Sequence, residues 1–375
     1  MSFKKHLIFF LQLFCIAITS AQLKVGDSNI SFDKTKFDSN WPQMERWSKA
    51  GVLNGIPSIN NIELGIKVTA FTASGINDAI KKCPSGKYVF LPNGSYLIDE
   101  SIQLKSNVFL IGESVDSVIC NITMTDKIAF QFYNINNSGI YNLTIQGAWG
   151  NPKYNWNISS QLNDEMPNNT NISVKFSGTT KNCWLDNVNI YNSALHPLVV
   201  NGTHITIRSC KIIGVHKKAG GYQGYFHVGN SDNLIYDNYV TYLRHISCQN
   251  PKSKYNVFYK NKFDQEFSFH TNDGGNNLIE QNKITLPKDM PNKTPNYFAL
   301  MGPWSVKHKI SIKPNYIYKN TIVELNHKNA TPWSNNSKIY YGPFEIKPKN
   351  PYLNFKAMDS IFIPTGGTLY PVILK

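Results

Sequence analysis

Acidic residues are scarce in this chain. Its 375 residues hold 24 Asp and Glu against 38 Lys and Arg, a formal charge of +14. Such an imbalance suggests an anionic polymer as partner. Long apolar runs are as rare. The stretch from Leu7 to Ile18 is too short for a spanning helix and no later stretch is longer, so no membrane span is expected. Cysteine is sparse and scattered: no Cys-x-x-Cys spacing suggests zinc. The five that follow Cys15 (Cys83, Cys120, Cys183, Cys210 and Cys248) are an odd set, which argues against a disulfide framework and for buried thiols. No Gly-rich loop follows a strand and opens a helix, and no serine lies in a nucleophile elbow, so phosphate cradling and Ser-His-Asp chemistry find no support. No nucleic-acid motif is recognisable, and no nucleic-acid partner is expected.

What is present begins with a leader. Lys4 and Lys5 precede the apolar run, and Thr19-Ser20-Ala21 precede Gln22, the layout of a cleaved secretory signal over residues 1–21. Its removal takes away two lysines and no acid. The mature protein is expected to be exported, soluble and monomeric.

The strongest pattern is a line that the chain writes twice, from Phe226-His227 to Asn238 and from Phe269-His270 to Asn282, with a shorter copy ending at Asn261. Echoes occur at Asn187 and Asn320. A period near twenty with β-branched and aromatic units means a solenoid. Each run ends in Asn, which tolerates the left-handed turn that lets a strand bend and continue, and which can hydrogen-bond the next rung.

Ahead of the repeats, residues 22–74 read as an irregular capping segment with a short helix around Trp41 to Trp47. Ser74 to Cys83 reads as a capped amphipathic helix with Ile76, Ala79, Ile80 and Cys83 on one face. Residues 75–330 are assigned to the solenoid. Residues 331–375 are assigned to a β tail packed on its end, where it would cover unpaired backbone.

The helix is followed by Leu91-Pro92-Asn93-Gly94-Ser95-Tyr96-Leu97-Ile98 and then by Leu104 to Ser114. This succession resembles the opening of pectate-lyase-like right-handed parallel β-helix proteins, and the resemblance spans roughly residues 70–330. It implies an all-β, right-handed parallel β-helix with an N-terminal helical cap. It also implies a secreted enzyme that cuts an acidic polysaccharide, by elimination or hydrolysis, in a groove along one sheet. The arginine-bearing motif of pectate lyases and the paired-Asp and Gly-His-Gly motifs of polygalacturonases are absent, so site residues are argued from this chain.

The ladder asparagines supply the frame. Sixteen, fourteen and twelve residues before Asn261 stand His245, Ser247 and Gln249; the same offsets before Asn282 give Glu266, Ser268 and His270. Side chains two apart share a face, so these polar trios point outward, with His245 stacked on Glu266 and Gln249 on His270. The same frame adds Trp304 and His308 before Asn320 and His227 before Asn238, and the group is flanked by Tyr225, Arg244 and Trp304. The expected column is His227, Gln249, His270 and His308. Lysines at 217, 218, 252, 254, 260, 262, 307 and 309 are expected near the groove, some of them solvated; those lining it would favour a carboxylated (uronate-containing) or sulfated chain, and Tyr222, Tyr225 and Trp304 can stack on sugar faces.

Elimination from a uronate requires its carboxylate to be neutralised and a base and an acid to flank the ring. Arg244 suits the first task through its bidentate fork, His245 or His270 the base, and Tyr225 the acid. Hydrolysis requires two carboxyl groups straddling the linkage, for which Asp264 and Glu266, two apart on one strand, are the alternative. The resemblance also raises calcium at Asp264 and Glu266, as some related lyases use it; no pattern commits the chain to a metal. A non-catalytic carbohydrate-binding β-helix is the third reading.

Overall fold

The computed structural model describes residues 23–147, 168–218, 221–286, 299–302, 308–324, 339–342, 356–358 and 363–373. The leader at 1–21 lies outside them. The chain winds as a right-handed parallel β-helix whose turns stack three sheets. The first sheet runs from Leu64–Lys67 and Tyr88–Leu91 through Thr206–Arg208, Leu234–Tyr236, Val257–Tyr259 and Leu278–Glu280 to Asn315–Tyr318. The second includes Gly94–Ile98, Lys211–Val215, Tyr239–Thr241, Lys262–Asp264, Lys283–Leu286 and Thr321–Glu324. The third has eight strands, from Ile102–Gln103 to Leu300–Met301. Two long strands, Asn136–Gln146 and Lys181–Ser193, pass from the first sheet into the second without a break.

Inward side chains alternate along every strand and meet in one core. On the third sheet these are Phe226, Val228, Ile246, Cys248, Phe267 and Phe269. All five described cysteines are buried and unbridged.

The corner between the first two sheets carries the expected ladder. In Asn238, Asn261, Asn282 and Asn320, the backbone and amide N–H groups of each donate to the side-chain oxygen of the next, at 2.8–3.0 Å. The left-handed residue is not the ladder Asn but its predecessor: Asp237, Lys260, Gln281 and Lys319 all have φ of 52–56°. Asn187, at φ 53°, occupies that preceding column, since Asp186, Arg208 and Tyr236 are in register. It is therefore not a rung of the ladder. A second ladder, Asn233, Asn256, Asn277 and Asn315, lines the corner between the third and first sheets.

These amides have a measurable weight. Asn261 accepts from two groups of Asn238 and donates to Ile235 O at 2.9 Å, all buried. Asn261→Ala leaves those partners unsatisfied, and urea unfolding should show a loss of about 3 kcal/mol.

The helix Ala73–Lys82 closes the N-terminal end of the core. The Thr72 side chain caps it by accepting from Gly75 N at 3.2 Å, and Ala73, Ile76, Ala79 and Ile80 are buried. Because Leu64–Lys67 already pairs with Tyr88–Leu91, the winding starts ahead of the expected boundary at residue 75.

The flanking segments do more than cap the end. Trp41, Met44 and Trp47, around the helix Gln43–Trp47, pack with Leu369 and Tyr370 on outward-facing Leu234, Val257, Tyr259 and Tyr318 of the first sheet. Ser31–Phe32 pairs antiparallel with Val372–Ile373, joining the first and last described segments along that flank. Tyr340–Gly342 pairs antiparallel with Asn315–Tyr318 and covers the last described rung of the first sheet. The later turns of the first sheet are thus covered, while the outer face of the third sheet carries a cluster of histidines with Arg244 and Glu266.

Candidate active site

On the third sheet, outward residues fall into columns set by strand pairing. Lys175, Val199, His227, Ser247 and Ser268 form one. Tyr225 and His245 begin another, and Glu266 continues it, one residue before the Ile246–Phe267 pair. In that column His245 Nδ1 is hydrogen-bonded to Glu266 Oε1. His245 is 4% exposed and Glu266 0%.

Burial at this depth disfavours both charges. It pushes the Glu266 carboxyl well above the usual carboxylate range, against the pull of the Arg244 charge. It holds His245 well below the usual imidazole range, helped by the charges of His270 and Arg244. Groups joined by such a hydrogen bond titrate as a pair rather than singly.

Rings crowd around this pair. Tyr225 lies 4.9 Å from His245 and 5.8 Å from His270; His245 and His270 are 5.3 Å apart, and His308 is 4.5 Å from His270. Tyr222 stands 5.3 Å from Tyr225 and 5.0 Å from His227. The Arg244 guanidinium lies 5.7 Å from the Tyr225 ring centre, and its buried Nε and Nη1 have no hydrogen-bond partner among the described residues. Glu266 Oε2, His227 Nδ1, His270 Nδ1, Ser247 Oγ and Ser268 Oγ are likewise buried and unpartnered. Buried polar atoms in such number, converging on one face, mark a place where a polar ligand completes the hydrogen bonding.

The structure therefore brings together Tyr222, Tyr225, His227, Arg244, His245, Glu266, His270 and His308, with differences of detail. Pairing shifts between Cys248 and Gln249, so Gln249 aligns with Thr271 rather than His270. His227 aligns with Ser247 and Ser268, so the expected single column of His227, Gln249, His270 and His308 is split. Asp264 does not share a face with Glu266. It ends a strand of the second sheet, where it accepts from Tyr239 Oη at 2.9 Å and pairs with Lys262 at 3.7 Å. The corner at Gln265, whose Oε1 accepts from Leu243 N, separates the two carboxyls.

That separation removes the shared strand face on which the calcium reading of Asp264 and Glu266 rests. Asp273, also buried, is spent on Asn315 Nδ2 at 2.8 Å and on Ser311 Oγ. No group of three or more His, Cys, Asp or Glu among the described residues is placed to hold a metal. Lys260 and Lys262 belong to the far corner and the second sheet, not to the groove. Trp304 and Lys307 lie outside the described residues.

Three contributors escaped the sequence reading. His196 Nδ1 accepts from Tyr225 N at 3.1 Å, fixing the end of the Tyr225 strand. Lys175 and Asn201 join it around a cavity of about 430 Å³ on the same sheet. Their rungs recur at longer spacing: Asn230 Nδ2 bonds Asn201 O across 29 residues, against 21–23 along the ladder. A search for twenty-residue periods misses them.

Burying neutral imidazoles makes stability pH-dependent. Burial lowers His196 to about 4 and His227 and His270 to about 3. Below the unfolded imidazole range the unfolded chain binds more protons than the folded one, so stability falls as pH drops from about 6.5 toward 3. Unfolding should be a few kcal/mol easier at pH 4 than at pH 7, read by urea titration at both values; each of these three histidines changed to Gln should flatten the dependence.

No known protein family matches the sequence, and no curated protein matches it. Among solved structures, the chain is similar to a pectin methylesterase mutant in complex with hexasaccharide IV, at 11% identity over 80% of this chain and 87% of that one, with a TM-score of 0.36. It is similar to the pectin methylesterase PemA from Erwinia chrysanthemi, at 11% identity over 80% and 86%, with a TM-score of 0.33. A polygalacturonase from Erwinia carotovora ssp. carotovora follows, at 14% identity over 73% and 94%, with a TM-score of 0.35. At these values the likeness says nothing of chemistry, and the fold assignment rests on the chain's own strand pairing.

Proposed function

We propose that this protein is an exported enzyme that cleaves an anionic, uronate-containing polysaccharide by β-elimination on the outer face of the third sheet. The observation that carries the reading is the Arg244 guanidinium, with Nε and Nη1 unpartnered among the described residues, beside the His245–Glu266 pair and Tyr225. A planar fork with free donors fits a carboxylate, and neutralising that carboxylate makes the adjacent C–H acidic.

In the working form Glu266 is ionised and accepts from His245 Nδ1–H, which leaves His245 Nε2 as base. Nε2 takes the proton from the carbon next to the carboxylate. The C–H electrons form the new carbon–carbon double bond as the bond from the neighbouring carbon to the glycosidic oxygen breaks. Tyr225 Oη gives its proton to that oxygen. Burial holds the Tyr225 phenol above its ordinary value, so it stays protonated at neutral pH, ready to act as the acid. Hydrolysis through Asp264 and Glu266 lacks the facing carboxyl pair it needs.

The test is incubation of the purified protein with a panel of acidic polysaccharides while ultraviolet absorbance of the conjugated double bond and new reducing ends are followed together. The reading predicts that both rise in step. Reducing ends without absorbance would sink it, and binding without either signal would make the protein a carbohydrate-binding β-helix.

A further inference from the structure

The proposed site has a neighbour toward the N-terminal turns of the same sheet. The cavity of about 430 Å³ is lined by Lys175, His196, Asn201, Lys217 and Tyr222, with Ile172 and Val199 on its apolar side, and no acidic residue lines it among the described residues. Lys175 stands in register with Val199 and then His227. Two rung spacings put it roughly 10 Å from His227 along the solenoid axis. It has no ion-pair partner among the described residues. Its charge reaches into the site, since it helps hold both His196 and His227 low.

Two further features point to a ligand. Asn201, which lines the cavity, and His227, in the Lys175 column, carry buried side-chain atoms, Oδ1 and Nδ1, that have no hydrogen-bond partner among the described residues. The Tyr222 ring belongs to both places: it lines the cavity, 4.7 Å from His196, and stands 5.0 Å from His227 and 5.3 Å from Tyr225. A chain lying along the columns would therefore pass from the His245–Glu266 pair over Tyr222 and onto Lys175.

We infer that this cavity is an anion subsite for a second charged sugar of the bound chain, with Lys175 meeting its carboxylate or sulfate. Asn201 Oδ1 accepts from a sugar hydroxyl, and Tyr222 supplies an aromatic wall between the two sugars. This rests on the reading of the third sheet as a site for an anionic polysaccharide. It adds that recognition counts charges: a ligand carrying negative groups on more than one sugar binds better than one with a single charge, and salt erodes the difference.

The experiment is calorimetric titration of size-defined oligosaccharides into wild type, Lys175→Gln and Lys175→Arg at low and high salt, with turnover of the parent polymer measured beside it. Three ligand sets are used: uronate oligomers, sulfated oligomers of a neutral sugar, and the uncharged oligomers. The subsite predicts about tenfold weaker binding of an anionic set to Lys175→Gln, equivalent to about 1.4 kcal/mol, near wild-type binding to Lys175→Arg, and no difference for uncharged oligomers. Which anionic set responds distinguishes carboxylate from sulfate. Equal affinity of Lys175→Gln and wild type for both anionic sets would overturn the subsite, as would failure of wild type to bind either. Loss of binding in Lys175→Gln with no turnover by wild type would keep the subsite and remove the elimination reading. Turnover with Lys175→Gln unaffected would do the reverse. Matching melting temperatures of the three proteins exclude an effect through folding.

Discussion

His245→Gln should lower kcat by about a thousandfold while KM changes little. Glutamine keeps a side chain that can bond Glu266 but has no nitrogen able to take a proton, so the loss falls on the chemical step. Glu266 acts through His245, by fixing its tautomer and stabilising the imidazolium that forms. Glu266→Gln is therefore expected to cost less in kcat, about ten- to a hundredfold, and to move the pH profile. In the wild type the base form requires the pair to have lost a proton, and burial raises the carboxyl's part of that titration. With glutamine in its place, only the imidazole titrates, and burial, with the neighbouring His270 ring and the Arg244 charge opposing a further positive charge, holds it well below its usual value. The acid limb of kcat should accordingly move to lower pH. A limb that stays in place would mean that Glu266 is a structural carboxyl with no part in setting the base.

The second large effect is at Arg244. Arg244→Ala should reduce kcat/KM by about a hundred- to a thousandfold on a uronate substrate, and Arg244→Lys should recover only part, because an ammonium lacks the planar fork. A substrate whose carboxyl groups have been reduced to alcohols offers nothing for the fork to hold. On such a chain wild type and Arg244→Ala should be equally poor. Equal rates of wild type and Arg244→Ala on the uronate polymer itself would place the reaction elsewhere on the solenoid.

Much of this architecture is legible in the sequence because a solenoid repeats its physics. The spacing from Asn238 to Asn261 to Asn282 gives the rung period, and the period alone aligns His245 with Glu266, which the structure joins by a hydrogen bond. The second ladder, through Asn233, Asn256 and Asn277, keeps the same spacing and was there to be read. Other features are not periodic. The slip between Cys248 and Gln249 moves Gln249 opposite Thr271, and nothing in the local residue types announces it. Asp264 and Glu266 look like neighbours on one strand, yet the corner at Gln265 lies between them and sends one to each sheet. The rungs bearing Lys175 and His196 are longer, so their part in the site emerges only when the strands are paired.

Digestion of the preferred acidic polysaccharide in heavy-oxygen water, followed by mass analysis of the fragments, tests the central claim most directly. Elimination breaks the carbon–oxygen bond without adding water, so the fragments should carry a double bond at the new non-reducing end and, when their reducing ends are reduced at once to alcohols before the hemiacetal exchanges with solvent, no solvent oxygen. One heavy oxygen per cut, with saturated ends, would contradict the account and show that a water molecule, activated by groups other than the His245–Glu266 pair and Arg244 as arranged here, cleaves the chain.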